Sequence, residues 1–227
     1  MGIDLDVIRS TPLFAEIDPA TTEALARSMR SVSLARGETL FHEGEDGDRF
    51  FIVLTGKMKL GRVSIDGREN LIAILGPGEM IGELTLFDPG PRTATAVAVS
   101  ATELAALAHA ELIAWVERNP KVAKHLLAAL ARRLRRTTDS LADLVFSDVP
   151  GRVAKTLLDL ARRFGEQRGA LVHVGHDLTQ EELAQLVGAS RETVNKALAD
   201  FSSRGWIRVE QRGVDLIDLD RLERRAR

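Results

Sequence analysis

The stretch "TQEELAQLVGASRETVNKALADF" (residues 179–201) encodes two short helices and the turn that joins them. Thr179 with Glu182 three residues later forms a capping box, in which each side chain satisfies an open backbone N–H at a helix start. Leu183, Leu186 and Val187 give this helix an apolar face, and Gly188 ends it. Ser190 caps a second helix from Arg191 to about Phe201, with Val194, Leu198 and Phe201 facing inward at helical spacing. Two short helices joined by a glycine turn make a helix-turn-helix, which presents the start of its second helix to the major groove of double-stranded DNA.

The outward face of that second helix carries Arg191, Glu192, Asn195 and Lys196. Arg donates a fork to guanine O6 and N7, Glu accepts from cytosine N4, and Lys reaches guanine or phosphate. Gln180, Ser190 and Thr193 are placed to meet backbone phosphates. "WIRVEQRGVDLI" (206–217) follows as two strands about a Gln-Arg-Gly turn, a wing. A solvated charged face would use the same residue types. The turn glycine, both caps and the wing, all in register, favour the DNA-facing reading.

Working back toward the N-terminus, "GRVAKTLLDLARRF" (151–164) predicts a helix and residues 171–174 a short strand. "SDVPGR" (147–152) interrupts the helical pattern with Asp, Pro and Gly together, which predicts a hinge. "KVAKHLLAALARRLRRTTDSLADLVF" (121–146) lacks glycine and proline and predicts a helix of about 26 residues, ~39 Å long. Leu127, Leu130, Leu134, Thr137, Leu141 and Leu144 form an a/d seam with a polar interruption. A stripe this long outruns the flank of a small barrel, so it predicts a parallel homodimer; the alternative is packing on the chain's own β domain.

From residue 32 to about 107, short apolar runs such as "RFFIVLTG", "MKLGRV", "NLIAIL", "ATAVAVS" and "ELAALA" alternate with glycine-bearing turns, among them "EDGD", "DGRE" and "DPGP". This texture predicts an all-β sandwich or jelly roll, preceded by an amphipathic helix at 19–29. Within it, "MIGELTLFDPGPRTATA" (80–96) sets Glu83 and Arg92 nine positions apart across Asp-Pro-Gly-Pro. A carboxylate and a guanidinium so placed can grip opposite ends of one small molecule, or form an ion pair that pins the loop.

The chain of 227 residues suits one large or two modest domains. It has no cysteine, which excludes disulfides, thiol nucleophiles and Cys-ligated metal, and predicts a cytoplasmic protein. No apolar run approaches the ~18 residues of a membrane span, and the N-terminus lacks a signal-peptide layout. Residues 1–119 carry 11 basic and 18 acidic groups, whereas residues 150–227 carry 14 and 12. Such asymmetry suits two domains with different partners. A metal-binding jelly-roll enzyme would need a His-x-His pair with further ligands. His42 stands alone, and His109, His125, His173 and His176 are dispersed or outside the barrel, the last two as solvated surface, so no metal site is expected.

"GASRETVNKALADF" followed by "GWIRV" resembles the recognition helix and wing of the cAMP receptor protein branch of the CRP/FNR transcription-factor superfamily. "DGREN", "DPGPRT", "LARRLRRT" and "DVPGRVAK" are similar to its actinobacterial members especially. The resemblance spans essentially the whole chain. It implies an α+β fold: a jelly-roll cyclic-nucleotide-binding β domain (1–119), a long dimerisation helix (120–146), a hinge (147–151) and a winged helix-turn-helix domain (152–227). It implies a regulator rather than an enzyme, with cAMP as allosteric ligand. The implied partners are double-stranded DNA at TGTGA-type palindromes, a second copy of the chain and RNA polymerase. "GEL" with "PRTA" resembles the family's phosphate-binding cassette. In that likeness Glu83 accepts the ribose 2′-hydroxyl, Gly82 admits the ligand close to the backbone, and Arg92 pairs with the cyclic phosphate. Thr93 adds donors, and Leu84 and Ala94 belong to the same cassette. Thr137 and Thr138 match a pair of hydroxyl residues that contact the adenine, one from each subunit, and Arg133 matches a basic position that braces the pocket. The alternatives within the family are DNA binding largely without ligand, or a different small effector.

Overall fold

The computed structural model describes residues 5–11, 19–64, 67 and 69–226. It divides into two units, Met1–Val63 with Ile72–Arg135, and Ser64–Leu71 with Arg136–Arg227.

In the first unit α1 (Leu5–Ser10) and α2 (Pro19–Ser28) precede the strands β1 (Arg30–Leu34), β2 (Thr39–Phe41), β3 (Arg49–Thr55), β4 (Met58–Val63), β5 (Glu69–Leu75, its first three residues counted with the second unit), β6 (Met80–Ile81), β7 (Thr95–Ala98) and β8 (Thr102–Ala108). They form two four-stranded sheets, ordered β1-β8-β3-β6 and β2-β7-β4-β5, the arrangement of a jelly roll. Strand β3 explains the near-continuous apolar run "FFIVL". Its alternating side chains enter two cores, Phe50, Ile52 and Leu54 on one face, Phe51 and Val53 on the other. The first core is closed by Leu25 of α2, by Leu112 and Trp115 of α4 (His109–Arg118), and by Val122 and Leu126 of α5 (Pro120–Phe146). The second lies between the sheets and contains Phe41, Leu60, Ile81 and Leu104. A one-turn helix, α3 (Leu84–Phe87), follows β6.

Helix α5 has the expected length, and its opposite faces differ. Val122 and Leu126 are buried in the first core, whereas seam residues Leu127 and Leu134 are 66% and 68% exposed. Leu127 and Leu134 therefore do not pack on the β domain. Further along the helix, in the second unit, Leu141 and Leu144 are exposed as well.

The second unit continues with α6 (Val149–Phe164), β9 (Gly165–Arg168), β10 (Leu171–Val174), α7 (Gln180–Val187), α8 (Arg191–Ser203), β11 (Ile207–Glu210), β12 (Gly213–Leu216) and α9 (Leu219–Arg225). The four strands form one antiparallel sheet, β11-β12-β10-β9. The hinge is shorter than the sequence suggests. Asp148 is the N-cap of α6, and Val149, Pro150 and Gly151 are already helical. Proline suits the first turn because its missing N–H would have no intrahelical partner there. The Asp148 carboxylate accepts from Gly151 N at 2.9 Å and from Arg225 at 2.5 Å. These bonds, that of Arg225 foremost, hold it below the usual carboxylate range. Helices α1, α4 and α9 and strand β9 have no counterpart in the sequence reading; α4, for instance, starts after Ala108 with no side-chain cap to announce it. The expected turn "DGRE" falls partly outside the described residues.

The capping box forms as expected. Thr179 Oγ1 accepts from Glu182 N at 3.2 Å, and Glu182 Oε2 accepts from Thr179 N at 2.8 Å. Thr179→Ala is expected to cost about 1 kcal/mol in denaturant unfolding; no loss would mean that tertiary packing alone holds this helix end.

Candidate ligand pocket and nucleic-acid interface

The loop from Gly82 to Ala94 lies at the end of β6, which pairs with β3 through Phe51–Ile81 and Ile52–Met80. Gly82 adopts φ 80°, a conformation open to glycine. Glu83 stands at the N-cap position of α3, yet its side chain makes no cap bond. Its carboxylate, 2% exposed, takes an ion pair from Arg133 of α5 on Oε1. Oε2 is buried and has no hydrogen-bond partner among the described residues.

Arg92 is fixed by its backbone. Its N–H donates to the Glu45 carbonyl and its carbonyl accepts from Gly44 N, each at 2.8 Å. The guanidinium, 5% exposed, donates from Nη2 to the Arg49 carbonyl at 2.7 Å and from Nη1 to the Gly82 carbonyl at 3.2 Å. Its carbon lies 4.2 Å from the centroid of the Phe41 ring. Nε is buried without a partner, and no carboxylate pairs with Arg92 among the described residues. Burial lowers the pKa of this guanidinium, while Asp48, Glu83 and Glu45 act in the opposite direction. Nη1 also donates to Thr85 Oγ1 at 3.4 Å, and a buried cation held by carbonyls, a hydroxyl and a ring face, with no carboxylate, is suited to receive an anion.

Glu83 and Arg92 line one open concavity, together with Gly82, Leu84, Thr93, Ala94 and Arg133. Seven of the residues singled out in the sequence thus come together. Thr137 and Thr138 belong to the second unit, where they are exposed on α5. The sequence reading missed Phe41, Thr85 and the Arg49 carbonyl. Nothing in the sequence distinguishes Phe41 from a core residue of β2. It counted His109 among the histidines dispersed or outside the barrel; that residue opens α4 directly after β8, with its backbone N–H on the Asp48 carbonyl. His109 Nε2 is buried without a hydrogen-bond partner among the described residues. Burial first, then the Arg92 charge, lowers its pKa.

In the second unit Gly188 adopts φ 70° and closes α7. Ser190 caps α8, accepting from Thr193 N at 3.2 Å, and its hydroxyl also meets that of Thr193 at 2.8 Å. Val194, Ala197, Leu198 and Phe201 are buried, and Phe201 stacks on Trp206 with centroids 5.4 Å apart. Arg191, Glu192, Thr193 and Lys196 are exposed, while Asn195 and Gln180 are half-buried. Glu192 and Lys196 pair with each other at 2.7 Å across one helical turn, so these two side chains do not project independently. The turn is fastened by Arg152 of α6, which donates to the carbonyls of Val187 and Gly188, each at 3.1 Å, and of Ser147 at 2.9 Å.

His173 and His176 are not solvated surface. His173 Nδ1 lies 2.7 Å from Asp215 Oδ1, and His176 is buried with Nδ1 accepting from Leu178 N. Among the described residues no cluster of His, Asp or Glu could hold a metal ion. No helix among them is long and apolar enough to cross a membrane.

An added Cβ at Gly82 would run into Arg92 Nη1 and lie 3.1 Å from the Arg49 carbonyl oxygen. Gly82→Ala should therefore lower the unfolding free energy by about 1–2 kcal/mol in urea, from the left-handed backbone and the displaced guanidinium together. An unchanged midpoint would contradict this packing.

Residues 31–119 match the cyclic nucleotide-binding domain family, and residues 151–225 match the Crp-like helix-turn-helix domain family. The chain is 53% identical over 222 residues to a CRP-like cAMP-activated global transcriptional regulator of Mycobacterium tuberculosis, a match covering 98% of this chain and 99% of that protein. It is 37% identical to the cyclic AMP receptor protein of Thermus thermophilus, over 95% of this chain and 97% of that one. Among solved structures, the catabolite activator protein of Thermus thermophilus superposes with a TM-score of 0.55 at 36% identity, covering 95% of this chain and 98% of that chain.

Proposed function

The chain belongs to the CRP family of transcriptional regulators, and from that premise we propose that it is a cAMP-responsive homodimer acting on palindromic TGTGA-type operators. Its cyclic-nucleotide-binding and helix-turn-helix domains make it a DNA-binding regulator and not an enzyme. One observation carries the proposed ligand site. A buried cation without a carboxylate partner and a buried carboxylate with one unpartnered oxygen line the same concavity.

Those two groups fit a cyclic nucleotide. Arg92 supplies the charge for the cyclic phosphate, with the hydroxyl and amide of Thr93 as further donors. Glu83 Oε2 accepts from the ribose 2′-hydroxyl, while its other oxygen stays with Arg133. Gly82 keeps the backbone approachable, and Leu84 and Ala94 complete the wall. Demanding both an anion and a hydroxyl donor separates a ribonucleotide from inorganic phosphate. Thr137 and Thr138 contact the adenine, one from each subunit, in the reading that the family likeness supports. The exposed leucines of α5 support the homodimer, since Leu127, Leu134, Leu141 and Leu144 recur at the spacing of a two-stranded coil. On the DNA side Arg191, Glu192, Asn195 and Lys196 read base edges, and Gln180, Ser190 and Thr193 meet phosphates. RNA polymerase is the expected protein partner, and the cytoplasm the expected compartment.

Arg92→Ala should stay folded by circular dichroism and lose about two to three orders of magnitude in cAMP affinity by calorimetry. Unchanged affinity would remove the assignment of the pocket. Arg191→Ala should relax base preference within the operator, costing about 1–3 kcal/mol on the matched site and much less on random DNA at the same salt. Equal weakening on both DNAs in fluorescence anisotropy would make Arg191 a phosphate contact instead.

A further inference from the structure

The end of α9 meets the start of α6 at a single carboxylate. Asp148 Oδ1 accepts from Gly151 N at 2.9 Å and so caps α6, while Oδ2 accepts from Arg225 Nη2 at 2.5 Å. Helix α9 packs along α6 and buries Leu222. Gly151 is buried and helical, a conformation that suits any residue with a backbone N–H. A Cβ there would stand 2.9 Å from Asp148 Oδ1 and 3.3 Å from both Nη1 and the carbonyl oxygen of Arg225. Glycine within a helix costs about 0.5–1 kcal/mol relative to alanine, so what position 151 supplies is room for the end of α9. The last carbonyls of α9 carry partial negative charge and the first amides of α6 partial positive charge, which favours the approach.

Arg152 follows Gly151 directly. From this turn it reaches the Val187 and Gly188 carbonyls between α7 and α8, and the Ser147 carbonyl beside Asp148. The Asp143–Lys155 ion pair joins α6 to the last turns of α5. A change at the end of α5 therefore reaches the α7–α8 turn through the first turns of α6, and only as far as these stay rigid. The Asp148 side chain is 63% exposed, and exposed ion pairs add little to net stability. What this pair fixes is direction. We propose that Arg225 is a positioning residue for the helix-turn-helix. By holding the first turn of α6 it sets where Arg152 starts, and the response of DNA binding to cAMP depends on this C-terminal contact. Without it the first turn of α6 opens locally and absorbs the change before it reaches α8. This rests on the reading of the chain as a cAMP-responsive DNA-binding protein.

Fluorescence anisotropy of the full chain on a duplex carrying the TGTGA palindrome, with and without saturating cAMP at fixed salt, gives the factor by which cAMP tightens binding. In the wild type this factor should fall within the roughly 5–150-fold that allosteric couplings span. Arg225→Gln should lower it several-fold with little change in the thermal unfolding midpoint, and Arg225→Lys should restore most of it. Asp148→Asn keeps an acceptor for Gly151 N but removes the charge, so it should lower the factor as well. Adding Arg225→Gln to Asp148→Asn should lower it no further. A factor unchanged in both single variants, or losses that multiply in the double variant, overturns the proposal. A second measurement needs neither DNA nor nucleotide. Amide hydrogen exchange should be several-fold faster in Arg225→Gln than in the wild type at Gly151 and Arg152, and also at Gly188 and Ala189 in the α7–α8 turn. A mere tether of the C-terminus would leave that turn unmoved, a result that overturns the positioning role. Should cAMP fail to tighten operator binding by the wild type, the proposed function fails, and the exchange rates alone decide the role of Arg225.

Discussion

The β domain is organised around one costly act, the burial of the Arg92 guanidinium. Taking such a charge out of water costs several kcal/mol unless its donors are met. Here two backbone carbonyls, the Thr85 hydroxyl and the face of Phe41 offset part of that cost, and no carboxylate among the described residues contributes an ion pair. The surrounding sequence follows from this. A Cβ at Gly47 would stand 2.6 Å from the guanidinium carbon, and one at Gly82 would strike its Nη1, so both positions must be bare. The backbone bonds to Gly44 and Glu45 fix where the side chain starts. Side-chain entropy has therefore been lost before any anion arrives, which is what preorganisation for binding requires.

Opposite that cation, Glu83 connects the pocket to α5. Its ion pair with Arg133 reaches a helix whose first turns are set into the core by Val122 and Leu126. A buried ion pair is worth little as net stability, because desolvation consumes most of the attraction. Its value lies in direction. It ties one carboxylate oxygen to the helix and leaves the other available, so a hydroxyl donor can be accepted without breaking the link to α5.

How much of this was legible depends on whether the deciding chemistry is local in the chain. The capping box at Thr179 and Glu182, the glycine at 188 and the Ser190 cap are each set by residues within four positions, and the structure shows all three. The double-sided burial of β3 was legible as an unbroken apolar run. Phe41 and the Arg49 carbonyl were not, because strands far apart in sequence bring them to Arg92. Their side chains look like ordinary core or surface until the sheets close. The start of α6 was hidden for a different reason. Proline and glycine break a helix in its interior, but in the first turn after an aspartate cap they are compatible with it.

The second unit shows the same economy at the helix-turn-helix. One guanidinium, that of Arg152, meets the last carbonyls of α7 and the carbonyl that follows α5. Carbonyls at a helix C-terminus lack intrahelical donors and carry partial negative charge, so a single cation satisfies two helix ends at once. Lys155 adds an ion pair to Asp143 at 2.6 Å, and the Leu144 side chain lies against Gly188. The turn that sets the start of α8 is thus linked through Arg152 to the residue that follows α5. A change in how the last turn of α5 is held must break these bonds or carry the turn with it, and the exposed face bearing Arg191 follows the turn.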